Sequence, residues 1–274
     1  MSLEGYVLIF GAGGGIGRET GYIFAERGAT GICFADIDEK AAQDAASASQ
    51  KLAAKDGYQA IAMLVDVTNR SSVREVVAAT KKLFGRIDYN INSAGVSSNF
   101  EAPVTEMLEE EFDRVHNVNA KGMLFCIAEV AKVMEAQDEK FTEGRSGRRS
   151  TGRGSIVTLS SLNGQIPVSG HVQYGSSKYA ALGITHTAAV ELARKGVRVN
   201  CLLPSWVDTP MMEKEISRQT ELLAAIKSLT PLGRMANVEE VAEAIHFLCS
   251  PGASYINGIG LVIDSGFSLT RGLA

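Results

Sequence analysis

Two side chains in the segment SIVTLSSLNGQIPVSGHVQYGSSKYAAL could move a proton. Tyr174 and Lys178 stand four positions apart in a stretch that reads as a helix, which places them on one face. A tyrosine, with an intrinsic pKa of about 10, is a poor base near neutrality, but an adjacent ammonium favours its phenolate and makes it usable as a general acid/base. The spacing alone is unspecific, since 7 Tyr and 12 Lys in 274 residues give about 0.3 such pairs by chance. Company for the pair comes from Ser160 and Ser161 at the end of an apolar strand, Ser161 thirteen residues before Tyr174, and from Asn119 in HNVNAKG on the preceding long helix.

A second constellation lies at the N-terminus. The apolar run YVLIF is followed by FGAGGGIG, in which Gly11, Gly15 and Gly17 have GxxxGxG spacing, although Gly13 and Gly14 blur the distinction from GxGxxG. A glycine turn after a strand lets a pyrophosphate approach the backbone at a helix N-terminus, where free N–H groups point at the anion. It also arises wherever a strand packs tightly on a helix, so it needs context. Asp36 supplies it, closing the second apolar strand about 20 residues on, where a carboxylate accepts hydrogen bonds from ribose hydroxyls. The alternative for Asp36 is a plain strand-end turn residue. Its charge would repel a 2′-phosphate, and neither Ile37 nor Asp38 offers a positive charge, so NAD(H) is favoured over NADP(H); Arg18 is the residue that could reach a phosphate.

The elements that must position these groups alternate. After the βαβ unit of Gly5 to Asp36 the pattern predicts helix 38–56, strand 59–65, helix 70–85, strand 87–91, helix 106–136, strand 154–159, helix 172–195, strand 197–202, helices within 210–250 and a strand near 259–263. Such alternation implies an α/β fold, a doubly wound parallel sheet (Rossmann fold) with helices on both faces in a single domain. Residues 138–153, DEKFTEGRSGRRSTGR, break the rhythm and read as a mobile polar surface loop, solvated or, through Arg145, Arg148, Arg149 and Arg153, anion-binding.

Composition narrows the field. At 45% hydrophobic and 21% charged the chain reads as a globular enzyme, and its net charge of -4 offers no basic face for nucleic acid. MSLEGYVLIFGAGGG has no basic leader, and its apolar run is too short for a signal peptide or membrane span, which predicts a cytoplasmic protein. Cys33, Cys126, Cys201 and Cys249 are scattered in apolar contexts and read as buried thiols, and the four histidines show no metal-ligand spacing, so no metal is expected.

From Val7 to about Phe267 the chain resembles the short-chain dehydrogenase/reductase family, through the glycine turn, INSAGV, HNVNAKG, the Ser160–Ser161 pair, YGSSK and LLPSWVDTP in that order. The resemblance implies reversible oxidation of a secondary alcohol to a ketone by hydride transfer with a nicotinamide cofactor. Tyr174 would be the general acid/base and Ser161 would orient the reacting oxygen. Lys178 would bind the nicotinamide ribose and act on the tyrosine, and Asn119 would hold a water linking the lysine to solvent. The cofactor would be held by Gly11, Gly15, Ile16 and Gly17, Asp36, Asp66 and Val67, Asn92, Ala94 and Gly95, Tyr174 and Lys178, and Pro204, Val207 and Thr209, the last three opening a substrate lid over about 205–235. Family members commonly pair through the helices that carry Asn119 and Tyr174, which with the apolar run MLFCIAEVAKVM predicts a homotetramer, or failing that a homodimer.

Three positions depart from the pattern: Phe10 replaces a threonine, Ser93 an asparagine and Ser205 a glycine. The first two remove polar braces around the cofactor loops, and Ser205 would be strained if that position needs a positive φ. The pocket expected from the pattern, Val96 to Phe100, Leu162, Asn163, Val168, His171, Trp206, Met211 and Met212, is mostly apolar without an Arg or Lys clamp. It predicts a bulky, weakly polar, cyclic small molecule of steroid, terpenoid or polyketide type. Alternatives are an NADP(H)-preferring ketoreductase of the same family, an epimerase or dehydratase of the extended type, against which the short C-terminal region argues, and a non-catalytic cofactor-binding scaffold, against which the intact tetrad argues.

Overall fold

The computed structural model describes residues 3–270. Strand β1 (Tyr6–Phe10) leads through the glycine turn into α1 (Gly15–Glu26), followed by β2 (Gly31–Asp36), α2 (Glu39–Leu52), β3 (Gln59–Leu64), α3 (Arg70–Phe84) and β4 (Tyr89–Asn92). Next come α4 (Glu109–His116), a π-helical stretch (Asn117–Gly122) and α5 (Met123–Glu135), then β5 (Lys140–Gly144), β6 (Gly147–Gly152) and β7 (Gly154–Leu159). The chain continues with α6 (Val172–Ala193), β8 (Val197–Pro204), α7 (Pro210–Arg218), α8 (Leu222–Leu229), α9 (Val238–Cys249), β9 (Gly260–Ile263) and α10 (Phe267–Thr270).

Seven strands form one parallel sheet in the order β3-β2-β1-β4-β7-β8-β9. Alternation along β1 shows how it is sandwiched: Leu8 and Phe10 pack with residues of α3, α5 and α6, whereas Val7 and Ile9 pack with those of α1, α2 and α9. This is the doubly wound α/β architecture predicted above. Strand order reverses at β1, whose neighbours are β2 and β4, so a crevice opens at the carboxyl ends of β1 and β4, where dinucleotides bind in such sheets. Among the described residues, no helix is long and apolar enough to cross a membrane.

The segment 138–153, expected as an irregular mobile loop, is instead an antiparallel hairpin of β5 and β6. Gly147, at φ 99°, closes its turn opposite Gly144. Its charged residues are structural ties: the Arg148 guanidinium lies 4.1 Å from the Phe141 ring centroid, Arg149 donates to the Pro251 carbonyl at 3.2 Å, and Lys140 pairs with the buried Asp88 at 2.9 Å. Polar residues on both faces hid the period of two that marks a strand. The single helix expected over 106–136 is likewise divided, because the π-helical stretch changes the backbone phase between α4 and α5.

Candidate active site

The glycine turn is shaped by close approach. At Gly11 (φ 79°) a Cβ would overlap the Ala94 backbone, and at Gly17 it would overlap the Gly11 carbonyl, so neither tolerates a side chain. At Gly14 a Cβ would meet nothing within 4 Å, which leaves open space at the start of α1. Across it, Thr209 comes within 3.5 Å of the position a Gly15 Cβ would take. Thr209 caps α7, its hydroxyl accepting from the Met212 amide at 3.2 Å. Ile16 is held in the first turn by the Thr20 hydroxyl, which donates to its carbonyl at 2.7 Å.

Asp36 stands at the end of β2 with its carboxylate fixed, accepting from the Gly13 amide at 2.8 Å and from the Asp38 amide at 2.9 Å. The glycine turn is thereby tied to the strand end. Arg18 is exposed on α1. Asp66 accepts from the amide and hydroxyl of Thr68, and Val67 is buried against Gly122. Asn92 is buried, with its amide nitrogen on Asn90 and its Oδ1 without a partner. Ala94 and Gly95 follow it into the crevice, where a Cβ on Gly95 would stand 3.4 Å from both the Asn119 Oδ1 and the Lys178 Nζ. Pro204 ends β8, and Val207 forms a β-bridge with Ala236. An orphaned buried oxygen, an open helix N-terminus and a crevice lined by glycines fit a nicotinamide dinucleotide.

Tyr174 lies in the first turns of α6 and faces a cavity, and the buried Lys178, one turn on, has its Nζ 5.5 Å from the Tyr174 ring centroid. The Lys178 ammonium donates to the Leu159 carbonyl at 3.2 Å. Geometry separates the two serines. The Ser160 hydroxyl is buried and donates to the Lys178 carbonyl at 2.8 Å, whereas Ser161 lines the cavity and accepts only from the Asn163 amide at 3.2 Å. Asn119 sits in the π-helical stretch, a distortion frequent at functional sites. Its Oδ1 accepts from the Val96 amide, and its Nδ2 donates to the Val96 carbonyl and, at 3.1 Å, to the Ser177 hydroxyl. Ser177 in turn donates to the Tyr174 carbonyl at 2.7 Å, so the π stretch and α6 are clamped together. A second contact, His116 Nε2 to the Ser176 hydroxyl at 2.8 Å, joins the end of α4 to α6. Ser176, Ser177 and His116 escaped the sequence reading because their partners come from a distant segment.

The cavity holds about 780 Å³. Of the expected lining, only Val96 is absent from its walls, while Ile166, Glu215, Arg218, Leu222 and Phe267 were not foreseen. One guanidinium, that of Arg218, lines the pocket, and it lies 3.5 Å from the Glu215 carboxylate. Phe267 and Trp206 pack with ring centroids 4.8 Å apart. The expected departures also resolve structurally. Phe10 is a core side chain, and its carbonyl still receives the Ser93 amide at 2.9 Å. Ser205 carries no positive-φ strain, since Ser265 is the only non-glycine residue with positive φ among those described.

The wall formed by residues 97–99 is held from beneath by α4. The Glu111 carboxylate accepts from the Asn99 amide and side chain and from the Arg114 guanidinium, which also donates to the Ser97 carbonyl at 2.7 Å. These charge-assisted bonds, that of Arg114 foremost, hold the Glu111 carboxyl well below its ordinary range, at about 2.

The family profile described as "Enoyl-(Acyl carrier protein) reductase" matches residues 11–268. The chain is 40% identical over 270 residues to the short-chain dehydrogenase fogB of Aspergillus ruber, covering 98% of this chain and 99% of that one. It is 38% identical over 270 residues to the 3-oxoacyl-[acyl-carrier-protein] reductase FabG of Thermotoga maritima, covering 97% and 99%. The solved structure of levodione reductase superposes with a TM-score of 0.86 at 29% identity, covering 96% of this chain and 97% of that one.

Glu111 links stability to pH with a definite sign. Because its folded pKa is depressed, its contribution is complete above the unfolded value of about 4.3 and is lost as pH falls through the folded value of about 2. Glu111→Gln should lower Tm by about 2–6 °C at neutral pH and raise KM, with the Tm gap to wild type closing as pH drops below about 4. Thermal melts across pH check it, and a gap that does not narrow would show that the charge is not what holds the wall. With a glycine turn and a crevice on one parallel sheet, and with relatives matched along nearly its whole length, the chain belongs to the short-chain dehydrogenase/reductase family of oxidoreductases.

Proposed function

We propose that this chain interconverts a secondary alcohol and a ketone, using NAD(H) in preference to NADP(H), on a bulky and weakly polar small molecule. The observation that carries the reading is the placement of Tyr174 and Ser161 on the wall of one roomy, mostly apolar cavity, with the Lys178 ammonium behind the tyrosine ring. The nicotinamide, when bound, supplies the hydride in reduction and accepts it in oxidation.

In the reducing direction the substrate carbonyl oxygen sits between the Tyr174 and Ser161 hydroxyls. Ser161 donates a hydrogen bond to the developing oxyanion, and Tyr174 gives that oxygen its proton. Lys178 stabilises the resulting phenolate by its charge and, with the Gly95 backbone beside it, offers a place for the nicotinamide ribose. Asn119, locked by Val96 and Ser177, positions a water through which the lysine exchanges protons with solvent. The glycine turn and the N-terminus of α1 take the pyrophosphate, Asp66 and Val67 the adenine, Asp36 the adenosine ribose, and Asn92, Pro204, Val207 and Thr209 the nicotinamide side. Residues 205–235 cover the substrate.

Apolar side chains exposed on the helices flanking this centre, Leu124 on α5 and Tyr179 and Val190 on α6, support assembly through those faces into a homotetramer. Light scattering at micromolar concentration should return four times the chain mass. A monomeric mass contradicts the assembly.

Tyr174→Phe removes only the acid/base oxygen. It should leave NADH binding intact, followed by fluorescence titration, while lowering kcat by about a hundredfold or more on a panel of ketones and alcohols that includes 3-oxoacyl and enoyl thioesters. Turnover within tenfold of wild type would overturn the assignment, and a wild type that binds NADH without turning over any of the panel would favour the scaffold reading.

Cofactor preference hangs on one carboxylate. Hydrogen bonds from ribose hydroxyls to a charged acceptor are worth about 1.5–3 kcal/mol each, and a 2′-phosphate would lose them and face the same anion. NAD should therefore lead NADP by at least about tenfold in kcat/KM, and Asp36→Ala should narrow or reverse the ratio, with Arg18 nearest to welcome the phosphate. A wild type that prefers NADPH would show that Asp36 does not meet the ribose.

A further inference from the structure

The substrate cavity has one polar wall, and its composition bears on what the substrate carries away from the reacting carbon. Helix α7 brings Glu215 against the loop after β4, where its Oε1 accepts from the Ser97 hydroxyl at 2.9 Å and lies 3.5 Å from the Arg218 guanidinium. Both bonds fall on the same oxygen. Oε2 receives no hydrogen bond from any described residue, although the Glu215 side chain is only 21% exposed and lines the cavity. A carboxylate oxygen can accept about two hydrogen bonds, so Oε2 is an acceptor held in place and left unfilled by the chain. Ser98, in the same wall, keeps a buried hydroxyl without a partner, so this wall has more hydrogen-bonding capacity than the protein uses.

The charges decide what kind of group fits. Glu101 and Glu215 set two carboxylates on the lining against one guanidinium, and Arg218 is already matched by Glu215. The Glu101 contacts with His171 Nε2 at 3.1 Å and with the Gln219 amide at 2.5 Å likewise fall on one oxygen, but at 46% exposure its carboxylate is open to water, whereas that of Glu215 is half as exposed. A carboxylate or phosphate on the substrate would meet repulsion without a free cation, whereas a hydroxyl would find a charged acceptor. Leu162, Trp206, Met212, Leu222 and Phe267 give the cavity an apolar surface that suits a ring system.

We propose that Glu215 is the residue that selects the substrate, accepting a hydrogen bond from a hydroxyl set at a distance from the reacting carbonyl on a neutral, cyclic ketone. The assignment rests on the ketone-reducing reading given above and gives the substrate its second functional group. Serine 97 and Arg218 act on it by fixing the carboxylate.

The test compares ring-hydroxylated β-tetralones with their ring-methoxylated counterparts, which keep the ring system and the oxygen but exchange the donor proton for a methyl group, as substrates with NADH and NADPH. Wild type should favour at least one hydroxylated isomer over its methoxy counterpart by about tenfold or more in kcat/KM. Glu215→Leu should bring that ratio close to one, and Glu215→Gln, which keeps an acceptor oxygen, should retain part of it. A purely structural role at the contact with Ser97 would weaken both substrates alike and leave the ratio unchanged, and that result overturns the proposal. So does a wild type that turns over both series equally, an outcome that leaves the reductase reading standing. Failure to reduce any carbonyl compound in the wider panel removes the reductase reading and this proposal with it.

Discussion

A hydrogen bond from the Ser93 amide to the Phe10 carbonyl, 2.9 Å long, closes the end of β1 against the chain leaving β4, and the missing side chains of Gly11 and Gly17 permit it. A methyl group at either position would collide with backbone, which cannot move aside as a side chain can. From this approach follow the open N-terminus of α1, the path of the Ala94–Gly95 segment toward Lys178, and the Asp36 carboxylate tied to Gly13. The strand reversal at β1 then makes the crevice a property of the sheet as a whole.

The reacting face depends on a second constraint, the π-helical stretch that carries Asn119. A regular α-helix would carry Asn119 round with a different phase from that of His116 and α4. The distortion lets Asn119 bond Val96 on one side and Ser177 on the other, while His116 still meets Ser176. The loop after β4 is thus gripped twice: by Asn119 beside the lysine, and by Glu111 and Arg114 beneath the cavity wall. The contact with Asn119 and the cavity wall share one loop, and strain at either end would be felt at the other.

The segment 205–235 has a different character. Its helices α7 and α8 bury few residues, and their side-chain hydrogen bonds to the body run from Glu215 to Ser97 and from Gln219 to Glu101. Of these the Ser97–Glu215 bond is part-buried and the Gln219–Glu101 bond exposed, and single polar contacts of this sort contribute modest net stability each. By contrast, the charged residues of the β5–β6 hairpin, at the opposite end of the sheet from the cavity, fasten it to Asp88 and Pro251.

Local pattern was sufficient wherever the physics is local. The alternation of apolar strands with amphipathic helices determined the doubly wound sheet, the glycine turn marked the tight passage from β1 to α1, and the four-residue spacing of Tyr174 and Lys178 placed both on one face, because helical periodicity and glycine's steric freedom act within a few residues. Choices between distant partners were not written there. Which of Ser160 and Ser161 faces the cavity, how the helix over 106–136 breaks to present Asn119, that Ser205 is unstrained, that 138–153 pairs with itself, and that Glu215 meets Ser97 across more than a hundred residues were decided only in the folded chain. The reason is that a buried polar group is positioned by whichever donor or acceptor packing brings to it, and that partner has no fixed distance along the sequence.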